Sequence, residues 1–262
     1  MRIALALEYD GGPFHGWQSQ ADGRGVQDAL ERALTGVADA PVRTVAAGRT
    51  DAGVHAALQV VHFDTGAARP EMAWVRGVNA LLPEAIAVRW ALPVAESFHA
   101  RFAATGRRYT YLLLDRPVRP ALCAGRVGWY HRPLAVEAMR TAAEALLGSH
   151  DFSAFRAAEC QAKSPVKKLD GITITRDDDM IRFDFHADAF LQHMVRNIVG
   201  ALVYVGDGRQ PVAWVADLLA SRDRTRGAPT FAASGLYLTG IDYPSRWNLP
   251  ATIAPLRIPP CQ

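Results

Sequence analysis

Arg2–Tyr9 alternates, with Ile3, Leu5, Leu7 and Tyr9 on one side and Arg2, Ala4, Ala6 and Glu8 on the other. A period of two marks a half-buried strand. The next apolar stripe has helical spacing: Val26, Ala29, Leu30, Ala33, Leu34 and Val37 share one face. Short runs at Arg43–Ala47 and Ala57–Asp64 read as strands. Pro70 can open a second helix with Met72, Val75, Asn79 and Leu82 inward, and Pro83 stops it. Ala85–Trp90 is a further strand. Strand, helix, strand, strand, helix, strand is the order of the ferredoxin-like split unit. It sets helices on one face of an antiparallel sheet and leaves the other face free.

Ala91–Gly106 reads as a connector, so the pattern divides the chain into residues 1–104 and 105–262. The second half opens on the strand Arg107–Leu114, then a proline-rich loop and a short strand at Val127–Tyr130. Pro133–Leu147 is a helix with Val136, Met139, Ala143, Leu146 and Leu147 inward, and Gly148 suits its C-terminal cap. A hairpin joins Leu169–Arg176 to Met180–Ala187, setting Ile172 and Ile174 opposite Ile181, Phe183 and Phe185. Asp177-Asp178-Asp179 forms its solvated tip. Phe190–Gly206 is the most apolar helix, followed by a helix at Pro211–Ser221 and a last strand at Gly235–Asp242. The tail beyond Tyr243 reads as extended. The fold class is α+β, two ferredoxin-like halves with antiparallel sheets flanking a central cleft. A cleft of that kind is the default place for a site.

Composition narrows the class. Half of the 262 residues are hydrophobic, enough for real cores. Cys123, Cys160 and Cys261 are scattered and odd in number, which argues for a reducing compartment and against structural zinc. Met1–Leu7 is too short for a secretory core, and no apolar run is long enough to span a bilayer. The expectation is a soluble, cytoplasmic protein. Only Lys163, Lys167 and Lys168 are lysines among the 29 basic residues. Genome composition accounts for that bias, yet arginine also grips phosphates through paired hydrogen bonds and stacks on bases.

Chemistry concentrates in Ala46–Ala56, between two strands. Asp51-Ala52-Gly53 is what an ordinary turn uses. Arg49 and His55 beside it raise the functional reading, because groups that pair with a carboxylate or trade protons cluster at active sites. Tyr109 and Tyr111 share one strand face behind Arg107 and Arg108. Tyr111 reads as core, whereas Tyr109 suits base stacking beside phosphate contacts. Arg196 lies off the Leu191–Met194–Ile198–Leu202 stripe, one turn before Gly200, where a backbone can approach closely. It is either a surface arginine or one turned toward a carboxylate, which it would hold ionised. Arg24, Arg101, Arg107, Arg108, Lys163, Lys167, Lys168, Arg222, Arg224 and Arg226, grouped with Phe14, Trp17, Phe98 and Tyr109, suggest a nucleic-acid groove. No nucleotide-phosphate loop, metal-ligand spacing or serine elbow is present, which leaves cofactor-free, metal-free chemistry.

Ala47–His55 resembles the signature of the tRNA pseudouridine synthase A (TruA) family. Other blocks agree in order: Tyr9-Asp10-Gly11 with Gly16-Trp17-Gln18, Phe98–Arg101, Arg107-Arg108-Tyr109, Asp151–Phe155, Phe190–Gly200 and Gly235–Leu238. His15 departs from the aromatic residue common there. The resemblance implies isomerisation of uridine to pseudouridine at positions 38, 39 and 40 of the tRNA anticodon stem-loop, without cofactor or metal, by a homodimer whose subunits hold one tRNA together. It implies Asp51 as catalytic nucleophile, attacking C6 of the base or C1′ of the sugar, with Arg196 and Tyr109 as its catalytic partners. Arg49 would prise out the target nucleotide or hold its phosphate, and Leu236 would wall the uracil pocket. Arg107, Arg108, Trp17 and Gln18 would bind RNA. The rivals are a non-catalytic RNA-binding scaffold and a related synthase acting on other uridines.

Overall fold

Hydrogen bonding on both edges of one N-terminal strand organises the first of two units. The computed structural model describes residues 1–254 and Leu256, so Cys261 and the last of the proline-rich tail lie outside the described residues. The units are Met1–Gly106 with the described residues from Tyr237 to Leu256, and Arg107–Leu236.

In the first unit β1 (Arg2–Tyr9) leads to α1 (Val26–Ala38), β2 (Thr44–Ala46), β3 (His55–Asp64), α2 (Val78–Leu81) and β4 (Ile86–Val94). β1 lies between β4 and β3, antiparallel to both, and β2 pairs with β3. This is the expected split order. The helix expected over 70–82 differs in form. Ala73–Gly77 is a π turn that runs into α2. Its wider turn rotates the inward face, so Trp74 and Val78 are buried while Met72 is exposed. Asn79 reaches β4 instead, its amide bracketing Val88 at 2.9 and 2.7 Å.

The free sheet face is covered. Ala4 and Ala6 on β1 are both fully buried, so β1 is not half-exposed. Side chains alternate across β3. Phe63 meets Trp74 edge-on, and its neighbour His62, on the opposite face, packs against Phe98 and His99. Phe98 in turn touches Tyr243 and Trp247. The connector and the tail are thus the second layer. The tail is not simply extended: Ser245–Trp247 makes a 3₁₀ turn, and Ile253 bridges back to Gly240.

The second unit contains β5 (Gly106–Asp115), β6 (Gly128–Tyr130), α3 (Val136–Glu144), β7 (Gly148–Asp151), β8 (Val166–Asp177), β9 (Met180–Ala187), α4 (Met194–Gly206) and α5 (Trp214–Ser221). β5, β9, β8 and β7 pair antiparallel in that order, and β6 adds to β5 in parallel. Ile172 faces Phe185 and Ile174 faces Phe183, the expected hairpin register. β7 is an addition to the sequence reading. α3 ends at Glu144, and Gly148, at φ +96°, turns the chain into β7 rather than capping the helix, leaving Leu147 exposed. α4 begins four residues later than its apolar run, because Phe190–His193 forms a turn ending in the left-handed His193. Leu191, Met194, Ile198 and Leu202 are all buried.

The last strand, β10 (Leu236–Asp242), corrects the sequence reading that placed it with the second half. It pairs in parallel with β3, Tyr237 opposite His55 and Leu238 opposite Ala56, and so completes the first unit's sheet. A parallel partner needs no adjacent hairpin, so nothing local in the sequence announces it. No helix among the described residues is long and apolar enough to cross a membrane.

Candidate active site

The loop between β2 and β3 turns at Asp51, whose carbonyl accepts the Val54 N–H at 3.1 Å. Asp51 itself is half-buried. Groups from β1 and β3 hold the loop from beneath. The Tyr9 and Thr50 hydroxyls are hydrogen-bonded at 2.8 Å and buried. Burial pushes the Tyr9 phenol up to about 12, against hydrogen bonds from Thr50 and Gln59 that lower it, so the hydroxyl stays protonated. Gln59, fully buried, donates through Nε2 to the Gly48 carbonyl at 2.7 Å.

The loop after β1 grips from the side. The Trp17 N–H donates to the Thr50 carbonyl at 2.9 Å. Gly16 takes φ +96°, and a Cβ there would stand 2.9 Å from that carbonyl and 3.1 Å from the Ala52 nitrogen. Only glycine fits both demands. A Cβ on Gly11 would fall 2.0 Å from the Val54 carbonyl oxygen. His55 is buried at the head of β3, its ring stacked on Tyr237 at 4.7 Å. Its Nδ1 accepts from the Gly11 N–H at 3.0 Å and lies 2.9 Å from Asp10 Oδ1. Thr50 and His55 are therefore supports for the loop. Nothing stands within 4 Å of where a Gly48 Cβ would be, and Arg49 is exposed.

Trp17 and Gln18 have different fates. The Trp17 indole is 2% exposed and packs 6.0 Å from the Tyr9 ring, so its contribution to the loop is through its backbone. Gln18 is exposed. His15, the residue that departs from the family pattern, is exposed with Nδ1 3.1 Å from Asp22 and Nε2 3.4 Å from Arg24.

In the second unit the register of β5 sets Tyr109 opposite Phe185 and Tyr111 opposite Phe183. Tyr109 is buried and meets Phe190 edge-on at 5.1 Å. Tyr111 is core, as expected. It is fully buried, its hydroxyl donates to the Ala232 carbonyl at 2.9 Å, and Gly128 and Gly235 pack against its ring. Leu236 follows Gly235 and is 5% exposed. Arg107 donates to the Asp188 carbonyl at 2.9 Å, and Arg107 and Arg108 are both half-buried.

Arg196 stands in the first turn of α4, its Nε donating to the Phe231 carbonyl at 2.8 Å. The close approach expected at Gly200 is present: a Cβ there would be 2.5 Å from the Pro229 carbonyl oxygen. Arg224 is turned inward rather than toward solvent, bonded to Asn197 Oδ1 at 3.1 Å and Thr230 Oγ1 at 3.2 Å. Lys168 is paired with Asp170 at 2.7 Å, and the Lys167 ammonium donates to the Ser164 and Val166 carbonyls. Phe98 is buried too. Of the aromatic positions grouped by sequence, Trp17, Phe98 and Tyr109 are therefore all buried.

Asp51, Arg49, Trp17 and Gln18 belong to the first unit, and Tyr109, Arg107, Arg108, Arg196 and Leu236 to the second. The sequence reading missed Gln59 and Phe190 as supports. A lone amide inside Ala57–Val61 was the signal for the first. Among the described residues no three His, Cys, Asp or Glu side chains converge as a metal site.

A family model described as tRNA pseudouridine synthase matches residues 5–103 and 142–244. A tRNA pseudouridine synthase A from Chromobacterium violaceum is 62% identical over 259 residues, 98% of this chain and 99% of its own length. Proteins of the same name from Dechloromonas aromatica and Thiobacillus denitrificans are 61% and 60% identical over 250 residues, covering 95% of this chain and 95% and 96% of their own. With nearly the whole chain matched at that identity, the protein belongs to the tRNA pseudouridine synthase family.

Proposed function

We propose that this tRNA pseudouridine synthase isomerises uridines 38, 39 and 40 of the tRNA anticodon stem-loop, with Asp51 as nucleophile and no cofactor. The observation that carries this reading is the Asp51 turn itself. A half-buried carboxylate sits on a loop clamped by Tyr9, Gln59 and the Trp17 backbone, beside the exposed Arg49. Such clamping holds a reacting group in place at little entropic cost to the reaction.

A uridine in a stem must leave the stack before a side chain reaches it, at about a few kcal/mol. Arg49 suits that step, and Tyr109 stacking on the extruded base recovers about 1–3 kcal/mol. Asp51 adds to the nucleoside and the bond between N1 and C1′ breaks. The uracil turns, C5 bonds to C1′, the bond to Asp51 breaks and regenerates its carboxylate, and the proton lost from C5 is balanced by one gained at N1. Arg196 is the charge partner of the reacting Asp51 carboxylate, and Leu236 walls the uracil. Arg107, Arg108 and Gln18 bind RNA. The enzyme works in the cytoplasm as a homodimer whose subunits share one tRNA.

Asp51→Asn is expected to abolish pseudouridine formation while tRNA affinity stays within a few fold. Retained turnover removes Asp51 from the nucleophile's role. Mapping pseudouridine in tRNA from cells lacking the protein tests the positions: loss at 38, 39 and 40 is expected, and loss elsewhere points to other uridines.

A further inference from the structure

The segment 224–231 is fastened to the first turns of α4 by more polar contacts than packing alone requires. Arg196 and Phe231 are joined twice, Arg196 Nε to the Phe231 carbonyl at 2.8 Å and the Phe231 N–H to the Arg196 carbonyl at 3.3 Å. The neighbouring Asn197 is 3% exposed and its amide is hydrogen-bonded at both ends. Its Nδ2 donates to the Phe155 carbonyl at 2.8 Å, and its Oδ1 accepts from the Thr230 hydroxyl at 2.7 Å and from Arg224 at 3.1 Å. Arg224 also reaches Thr230 Oγ1 at 3.2 Å, closing a triangle. One turn further on, Gly200 admits the Pro229 carbonyl.

Stability alone is a poor reason for this triangle. Its cation is hydrogen-bonded to the neutral Asn197 and Thr230, and burial holds the Arg224 pKa below the usual arginine value. Partly burying a charge against neutral partners costs free energy that an apolar contact would avoid. What the triangle does supply is register. Thr230 immediately precedes the residue whose carbonyl holds Arg196 Nε, so a hydrogen-bonded Thr230 fixes that carbonyl in place. With Nε held, the plane of the guanidinium is set, and a planar fork depends on its orientation as a point charge does not.

We propose that Thr230 and Arg224 are positioning residues for the isomerisation, locking the 228–231 strap so that the Phe231 carbonyl orients the Arg196 guanidinium for the chemical step. This rests on the reading of Arg196 as the partner of the reacting carboxylate.

The test compares Thr230→Val, Thr230→Ser and Arg224→Lys, each with Arg196 intact and in an Arg196→Lys background. Single-turnover rates and KM for unmodified tRNA are read beside the Tm of each variant. With Arg196 intact, Thr230→Val is expected to slow the chemical step about tenfold or more, with KM within about threefold. Thr230→Ser, which restores the hydroxyl, is expected to recover the rate. In the Arg196→Lys background Thr230→Val is expected to add less than about twofold, because contacting residues in one network are not additive. An unchanged rate in Thr230→Val, a loss shared by Thr230→Ser, or the same loss in both backgrounds overturns the proposal. Should Thr230→Val fail to fold, Arg224→Lys decides by the same comparison. If Arg196→Lys alone keeps full rate, the underlying reading of Arg196 fails, an outcome distinct from failure of the strap.

Discussion

Tyr9 is buried, and the Asp51 loop depends on its hydroxyl. Tyr9→Phe strands the buried Thr50 Oγ1, a loss of about 1–3 kcal/mol. The expected outcome is a lower Tm together with reduced kcat at nearly unchanged KM, measured by thermal melts and steady-state kinetics. Arg196→Lys is expected to lower kcat more than it raises KM, because a point charge replaces the fork. A rise confined to KM would assign Arg196 to phosphate contact. His62 gives a pH prediction. Burial, with Arg2 and His99 nearby, lowers its pKa from 6.5 to about 4, and its Nδ1 accepts the Ala100 N–H at 3.1 Å. The unfolded chain takes up that proton first, so the stability due to neutral His62 is present above pH 6.5 and is lost toward pH 4. His62→Asn, which keeps an acceptor without titrating, is expected to flatten that part of the Tm–pH curve. At this scale the sequence was informative where polar groups crowd together, as at Arg49, Asp51 and His55. It was silent on the buried Gln59 and the enclosed Trp17, because burial depends on partners that only folding brings near.

Between elements, the β2–β3 loop works because the loop after β1 closes on it. Gly16→Ala places a Cβ 2.9 Å from the Thr50 carbonyl at a φ of +96°, where an L-residue costs about 1–2 kcal/mol. The expected result is a modest drop in Tm and a larger drop in kcat. Activity equal to the unaltered enzyme would show that the loop tolerates displacement. The strands and helices with strong periodicity were legible: β1, α1 and the β8–β9 hairpin stand where the alternation or stripe puts them, and α4 does so from Met194 onward. The π turn at Ala73–Gly77 was not, since one extra residue per turn shifts the inward face without changing composition. β7 was hidden in Gly148–Asp151, four residues too polar to alternate.

Across the whole molecule the net charge is only +3, so attraction to RNA depends on where the arginines stand. If exposed arginines such as Arg49 and Arg101 carry phosphate contacts, tRNA affinity falls steeply with salt, by a log–log slope of about −0.9 for each phosphate neutralised on duplex. A binding titration between low and physiological salt checks this, and a flat response would refute the groove. Sedimentation velocity at micromolar protein tests the homodimer, for which a single dimeric species is expected. The arginine bias was plain in the sequence. Which arginines are committed to internal work was not, and Arg224 is the example.

β10 ties the order of synthesis to the order of folding. The strand that completes the β3 edge arrives only after Arg107–Leu236 has been made, so the first unit cannot close its sheet as it leaves the ribosome. A nascent chain ending near Gly106 carries the whole Asp51 loop, but the His55–Ala56 end of β3, beyond the stretch that β2 covers, lacks its strand partner and leaves backbone groups ready to pair with another chain. A fragment stopped at Gly106 is expected to aggregate unless a peptide spanning Leu236–Asp242 is supplied with it.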